Sequence, residues 1–481
     1  MKVYLIGFLV FGSWIFAGPK GPDDASLKQK VDQFLSAGVA QGFSGNVMVV
    51  REGRIVMQKG YGLANRDTNQ AWTPDTVTTI GSVTKQFTGA AILKLVEQGK
   101  LKTSDTLATW FKDAPADKSK ITIHQLLIHA SGLSNIGTND FDHIPTDTYF
   151  KRLFAAPLEF EPGTRHRYSN SGYSVLGRII ELASNQSYEA YLNENLFKPA
   201  GMKHTGYLIP RWDTAKVAHG YAHGVHPMGS LIDRFQTDKK ISWILQANGG
   251  VHSTLGDMYR WMQALKDHRI LSPESFKTLT TPWIAEDESG SSHYGYGWAL
   301  FKSSRGTKII SHNGGNGIYF FDFIWLPEED ALVLFATNAV SRQVEVSWNI
   351  ARMMFDAEYD PKPIGPNPFA YAAEFITKHD HSKASELFTN LAKKFPRDYD
   401  HPRFLNRLGY DLLRVGDHSD WALAVFLENS RRYPKVPNVW DSLSDGYLAK
   451  NNKPKAIQAL EKAAEMGMPQ SKERLKELKA E

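Results

Sequence analysis

Three short groups of residues in this chain could do chemistry together. Ser82-Val-Thr-Lys85 is its only Ser-x-x-Lys. On a helix, an offset of three puts both side chains on one face. The lysine amine can then reach the serine hydroxyl, which is a poor nucleophile until a base takes its proton. A helix start also aims free N–H groups at developing negative charge. Tyr168-Ser-Asn170 adds a phenol that shuttles protons if nearby cations lower its pKa, and an amide that can hold the lysine and a substrate amide. Taken alone, Ser82 also reads as a helix cap, Lys85 as a surface lysine, and Tyr-x-Asn carries little meaning. His312-Asn313-Gly314-Gly315 follows a β-like run. Glycines ending a strand admit a substrate backbone, and the strand edge can pair with it. The N–H groups of Gly315 and Ser82 could form an oxyanion hole. Alone, this group also reads as a glycine loop between strands.

Several elements must position these groups. Leu27, Val31, Phe34 and Leu35 give Asp24–Gly42 the spacing of an amphipathic helix. Residues 46–51 and 54–60 read as a hairpin around Glu52-Gly53. Ser82–Gln98 reads as a helix stopped by Gly99. Thr307–Ser311, Ile318–Leu326 and Ala331–Thr337 read as strands, with a turn at Pro327–Asp330 and a closing helix over Val344–Phe355. Strands at both ends with helices between predict an α+β body: an antiparallel sheet built from the two ends and covered by helices. Four prolines in Tyr359–Pro368 predict a stiff linker over 359–368. Beyond it, Ala422–Phe426 and Ala456–Leu460 repeat at 34 residues, with an earlier copy at Ala384–Phe388, and Trp440, Leu443, Gly446 and Tyr447 precede the last. This resembles the tetratricopeptide repeat and implies an all-α repeat domain over 369–481. An ordinary helical bundle is the other reading.

Composition narrows the classes. The chain has 481 residues, 42% hydrophobic and 22% charged, as expected of globular domains. A net charge of +5 over this length gives no case for nucleic acid. The absence of cysteine excludes thiolate metal sites, disulfides and a cysteine nucleophile. Lys2, the apolar run Val3–Phe16 and the small residues Ala17 and Gly18 read as a secretory signal peptide over 1–17. A periplasmic or secreted protein with no stable membrane span after cleavage is expected. An uncleaved anchor is the other reading, though the run is short for a span of roughly 20 residues. His219, His223 and His226 have some ligand-like spacing, but the flanking glycines suggest turns, and no metal is assigned. His129 reads as a loop anchor. Gly-x-Ser-x-Gly, His-Glu-x-x-His and phosphate-loop motifs are all missing.

The three groups, in this order and 86 and 144 residues apart, resemble the serine β-lactamase and penicillin-binding superfamily. Tyr168 and His312 point to its class C β-lactamase, D-alanyl-D-alanine carboxypeptidase and esterase branch. Leu126–Leu133, Pro199–Met202, Asn248–Val251 and Asp257–Trp261 agree with it. The resemblance covers about residues 24–358 and implies a β-lactamase/transpeptidase-like body with a helical subdomain. It implies Ser82 as nucleophile and Lys85 with Tyr168 as shared base. Asn170 would position them and the substrate, and Gly315 would donate to the oxyanion. It implies no cofactor, and an ester, amide or peptide substrate. His312 stands where Lys is usual, and Asn313 where related carboxypeptidases often carry Thr. A fixed charge for a substrate carboxylate is thus missing, which favours neutral esters over penicillins. Two other functions are a hydrolase-like body that has lost turnover, and a scaffold binding a protein partner through its repeats.

Overall fold

The computed structural model describes residues 21–136, 144–222, 226–339, 343–414 and 418–480. The expected signal peptide lies outside them. Among the described residues no helix is long and apolar enough to cross a membrane. The chain divides into two compact units, one ending at Ile364 and one beginning at Gly365.

The first unit is built on one eight-stranded sheet. Its strands are Gly45–Arg51 (β1), Arg54–Tyr61 (β2), Ile284–Ala285 (β3), Ser292–Tyr294 (β4), Ala299–Lys302 (β5), Lys308–Gly315 (β6), Phe320–Leu326 (β7) and Ala331–Thr337 (β8). Their order is β2-β1-β8-β7-β6-β5-β4-β3, antiparallel throughout. The β1–β2 hairpin turns on Glu52 and Gly53, both at positive φ, which matches the twist of the paired strands. Early strand β1 then pairs with late strand β8, from Gly45 opposite Thr337 to Val50 opposite Leu332.

Both faces of this sheet are covered. Helix Asp24–Val39 (α1) starts on Asp23, whose carboxylate accepts from the Ser26 N–H at 2.8 Å. It buries Leu27, Val31, Phe34 and Leu35 against Val47, Val49, Ile324 and Phe335. Each such side chain is worth about 1.5–3 kcal/mol when fully buried. Helix Gln343–Met353 joins the same layer. On the other face, Met48, Val50, Phe323 and Leu334 meet Phe87 and Ile92 of helix Lys85–Glu97 (α2). Nine successive residues of α2, Lys85–Leu93, are buried, as in a helix enclosed on all sides. It ends where Gly99, at φ 68°, and Lys100 donate to the Val96 and Leu95 carbonyls. Helix Asn170–Ser184 (α3) belongs to the helical layer packed on α2.

Three sequence expectations need correction. Ser82 does not lie in the α-helix: Gly81–Thr84 is a 3₁₀ turn and α2 begins at Lys85. Strand β6 does not stop at Ser311 but runs through His312–Gly315, because β7 keeps pairing as far as Phe320 opposite Gly315. Segment 359–368 is not uniformly a linker. Tyr359 and Ile364 pack against the α1 layer, and Pro368 opens a helix capped by Asn367.

The second unit is helical. Pro368–Lys378, Pro402–Arg414, Pro437–Ala449 and Pro469–Ala480 all open on proline, whose fixed φ and missing N–H suit the first helical position. Ala384–Lys394, Ser419–Arg432 and Lys453–Glu465 alternate with them and carry the three repeated strings. Phe426 fills the space left by two glycines. A Cβ on Gly409 or Gly446 would come within 2.5 or 2.9 Å of its ring.

Candidate active site

The 3₁₀ turn brings Ser82 and Lys85 together, since side chains three apart eclipse in that geometry. Ser82 is partly exposed and Lys85 is fully buried. Lys85 Nζ donates to Asn170 Oδ1 at 2.8 Å and to the Asn248 carbonyl at 2.6 Å. It also lies 4.6 Å from the centre of the Tyr168 ring. The Tyr168 phenol hydrogen-bonds to Ser82. Four residues expected from two distant motifs therefore meet at one point.

Motif two is held from outside itself. Ser169 caps α3 by accepting from the Gly172 N–H. Asn135 Oδ1 accepts from the Asn170 N–H at 2.7 Å and the Ser171 N–H at 3.2 Å. Buried His129, at φ 58°, accepts the Arg167 N–H on its carbonyl and the Ser169 N–H on Nδ1 at 3.1 Å. Its ring lies 4.3 Å from that of Tyr168.

Motif three lies alongside the nucleophile turn. A Cβ on Gly314 would strike the Ile80 carbonyl and come within 2.5 Å of the Ser82 nitrogen. Gly81, at φ 51°, faces Gly314 and Gly315 equally closely. Strand β5 pairs with β6 only as far as Ser311, opposite Ala299, so the strand pairing on that edge stops before His312–Gly315. His312 is buried; its Nδ1 lies 2.6 Å from the Asn313 carbonyl and its Nε2 2.9 Å from the Tyr294 hydroxyl. Asn313 is opposite Asp322 in register.

A cavity of about 60 Å³ opens beside Ser82, lined by Thr79, Gly81, Asn170, Leu231, Leu245, Asn248, Gly249, Gly250, Gly315 and Asn316. Among the described residues no ionisable side chain lines it. A larger groove of about 540 Å³ lies on the C-terminal helices, between Phe388, Leu427, Trp440 and Tyr447. No serine–lysine pair lines it, so the chemistry belongs to the smaller cavity.

Burial governs the titratable groups here. It pushes the Tyr168 phenol well above its ordinary range, against the hydrogen bond from Ser82, so the resting group is a neutral phenol. The sequence reading needed cations to lower it, and the direction is the reverse. Burial, then the charge of Lys85, brings His312 down to about 3. Burial brings His166 down to about 4 and lifts Glu286 to about 7. Among the described residues no three His, Asp or Glu side chains group to hold a metal. His223 and the side chain of His226 lie outside the described residues.

Sequence reasoning missed Asn135, Tyr294 and Glu286, and assigned no role to Asn248. Asn248 was visible only within the string Asn248-Gly-Gly-Val251.

The model of the family described as Beta-lactamase matches residues 27–353. A Bacillus subtilis (strain 168) protein named for penicillin binding, PbpX, is 34% identical over 278 residues. That match takes in 57% of this chain and 66% of the relative, so the chain spans just under two thirds of its length. The crystal structure of a penicillin-binding protein from Bacillus halodurans is similar with a TM-score of 0.57 and 28% identity, over 66% of this chain and 97% of that one. The octameric penicillin-binding protein homologue from Pyrococcus abyssi shares the fold, with a TM-score of 0.58 and 24% identity, over 74% of this chain and 82% of that one. With the matched model spanning both the Ser82 turn and strand β6, the chain belongs to the beta-lactamase family of serine hydrolases.

Proposed function

We propose that the protein is an exported serine hydrolase that forms an acyl-enzyme on Ser82 with an uncharged ester or amide. The observation that carries this reading is the meeting of Ser82, Lys85, Tyr168 and Asn170 beside a cavity whose described lining holds no ionisable side chain. In the first step Ser82 Oγ bonds to the substrate carbonyl carbon. With Lys85 as a neutral amine, the Ser82 proton passes to the Tyr168 oxygen as the Tyr168 proton passes to Lys85 Nζ, so Tyr168 relays it and never stands as a phenolate. The unit returns the proton to the leaving alcohol or amine as the C–O or C–N bond breaks. Water then attacks the ester on Ser82 by the same path and releases the acid. The N–H groups of Ser82 and Gly315 take the developing oxyanion. Asn170 orients Lys85 and the substrate, and no cofactor is required.

A neutral substrate is favoured because His312 carries no charge near neutral pH. A carboxylate bound there would lack a charge-assisted contact of roughly 1.5–3 kcal/mol, or about 10- to 150-fold in kcat/KM. Export rests on the Lys2–Gly18 sequence, and binding of a protein partner on the repeated helices, whose period suits a tetratricopeptide-like array. The test is kcat/KM for a p-nitrophenyl ester and a chromogenic cephalosporin. The ester should be preferred, and Ser82→Ala should abolish its turnover. A wild-type preference for the cephalosporin would replace this reading with a β-lactamase one.

A further inference from the structure

We propose that Tyr294 is a positioning residue that holds His312 in one tautomer, with the proton on Nδ1 and none on Nε2. By donating to Nε2 it adds to what keeps the third motif uncharged, and so works against substrates with a carboxylate there. The specificity half rests on the serine hydrolase reading above; the tautomer half does not.

The assignment follows from counting protons. The Asn313 carbonyl can only accept, so His312 Nδ1, 2.6 Å away, must carry the hydrogen. In the neutral ring Nε2 is then a bare acceptor, and the Tyr294 hydroxyl at 2.9 Å donates to it. Both ring nitrogens are thus engaged by the protein, and neither is left to donate to a substrate. Tyr294 pairs with Ala299, and Ala299 pairs with Ser311 on its other side. His312 is the next residue on β6, and the hydrogen bond joins the end of β4 to β6 across the first residue of β5.

An imidazolium would have to reverse the Tyr294 bond within a site from which water is excluded. Both His312 and Tyr294 are buried. The groups that face this pair are Lys85, His129, His166, Tyr168, Tyr173 and Glu286. Lys85 opposes a second positive charge. Tyr173 is already committed as a donor, to the Leu127 carbonyl at 2.8 Å. His129 accepts from Ser169, and its carbonyl from Arg167. Glu286 is bonded to Ser292, and burial keeps its carboxyl protonated well above the usual carboxylate range. Tyr294 thus adds a donor to Nε2 to the burial and the Lys85 charge that already disfavour the imidazolium.

The experiment is a long-range ¹⁵N–¹H spectrum of the histidine rings of the full chain, with His312 assigned by its loss in His312→Gln. Wild-type His312 should stay in the Nδ1–H form between about pH 5 and 8, where an ordinary histidine titrates. In Tyr294→Phe, where burial and Lys85 still act, the Nε2 signal should move with the loss of its hydrogen bond, and Nε2 should take up a proton at a higher pH than in wild type. The kinetic readout compares a neutral p-nitrophenyl ester with one carrying a carboxylate on its acyl chain. Their kcat/KM ratio should be flat with pH in wild type. In Tyr294→Phe it should shift toward the carboxylate ester as the pH falls, in step with any protonation of Nε2. A wild-type His312 that carries Nε2–H, or that titrates in this range, overturns the proposal without any variant. So does a Tyr294→Phe spectrum identical to wild type. Failure to turn over either ester would overturn the hydrolase reading while leaving the tautomer result to stand.

Discussion

Lys85 stays buried one turn from Ser82 because two acceptors, Asn170 Oδ1 and the Asn248 carbonyl, take hydrogen bonds from its amine. Tyr168 completes the unit as a neutral phenol bonded to Ser82. Lys85→Ala and Tyr168→Phe should therefore each slow acylation by about 10²–10⁴, the usual worth of a positioned general base. Their double mutant should lose little more than the worse single one, because the two move one proton as a unit. Stopped-flow acylation rates decide this, and a double mutant showing the product of the two losses would contradict a shared base. At this scale the sequence was informative wherever a side chain's partner is local: an offset of three residues already joins Ser82 to Lys85. Asn135, Asn248 and Tyr294 act on partners 35, 163 and 18 residues away, with no periodic pattern to reveal them.

The elements that matter most are the 3₁₀ turn and strand β6, which touch backbone to backbone. Gly314 permits this approach, since a Cβ there meets Ile80 and Ser82. Gly314→Ala should cost about 1–3 kcal/mol of overpacking and displace the nucleophile. A lower melting temperature together with a lower kcat on esters is the expected result. The same glycines misled the reading of the strand, because Gly-Gly after a β-like run signals a loop. The continued pairing with Phe320–Phe323 overrides that local signal. On the opposite face of the sheet, β7 carries one buried carboxyl, Asp322, which accepts from Ser347 of helix Gln343–Met353 at 2.5 Å. Burial lifts it from 3.8 to about 7. The folded protein then holds a proton that the unfolded chain releases, so stability falls as pH rises from about 4 to about 7. Below that window both states are protonated, and above it both are ionised. The melting temperature of wild type minus that of Asp322→Asn should therefore decrease across the window. A difference that is flat or rises with pH would contradict a buried, protonated Asp322.

At the scale of the whole molecule, the two-unit division and the helical second unit were legible from the proline cluster and the 34-residue spacing. The exact joint was not, because a proline at the first position of a helix and a proline in a linker look alike in sequence. Ile364 belongs with the first unit: a Cβ on Gly38 of α1 would lie 2.6 Å from its Cδ1. A chain ending at Gly365 should fold and retain ester turnover. One ending at Tyr359 should melt lower, by the order of 1 kcal/mol for the lost half-buried isoleucine. Thermal melts and ester assays of the two chains test this, and an inactive Gly365 chain would show that the second unit completes the first. The central claim, an acyl-enzyme on Ser82, is tested most directly by labelling the full chain with a serine-reactive fluorophosphonate. Intact mass and peptide mapping then locate the adduct. One adduct per chain, carried on Ser82 and absent from Ser82→Ala, is the predicted result; labelling that persists in Ser82→Ala, or that maps to another serine, would contradict the account.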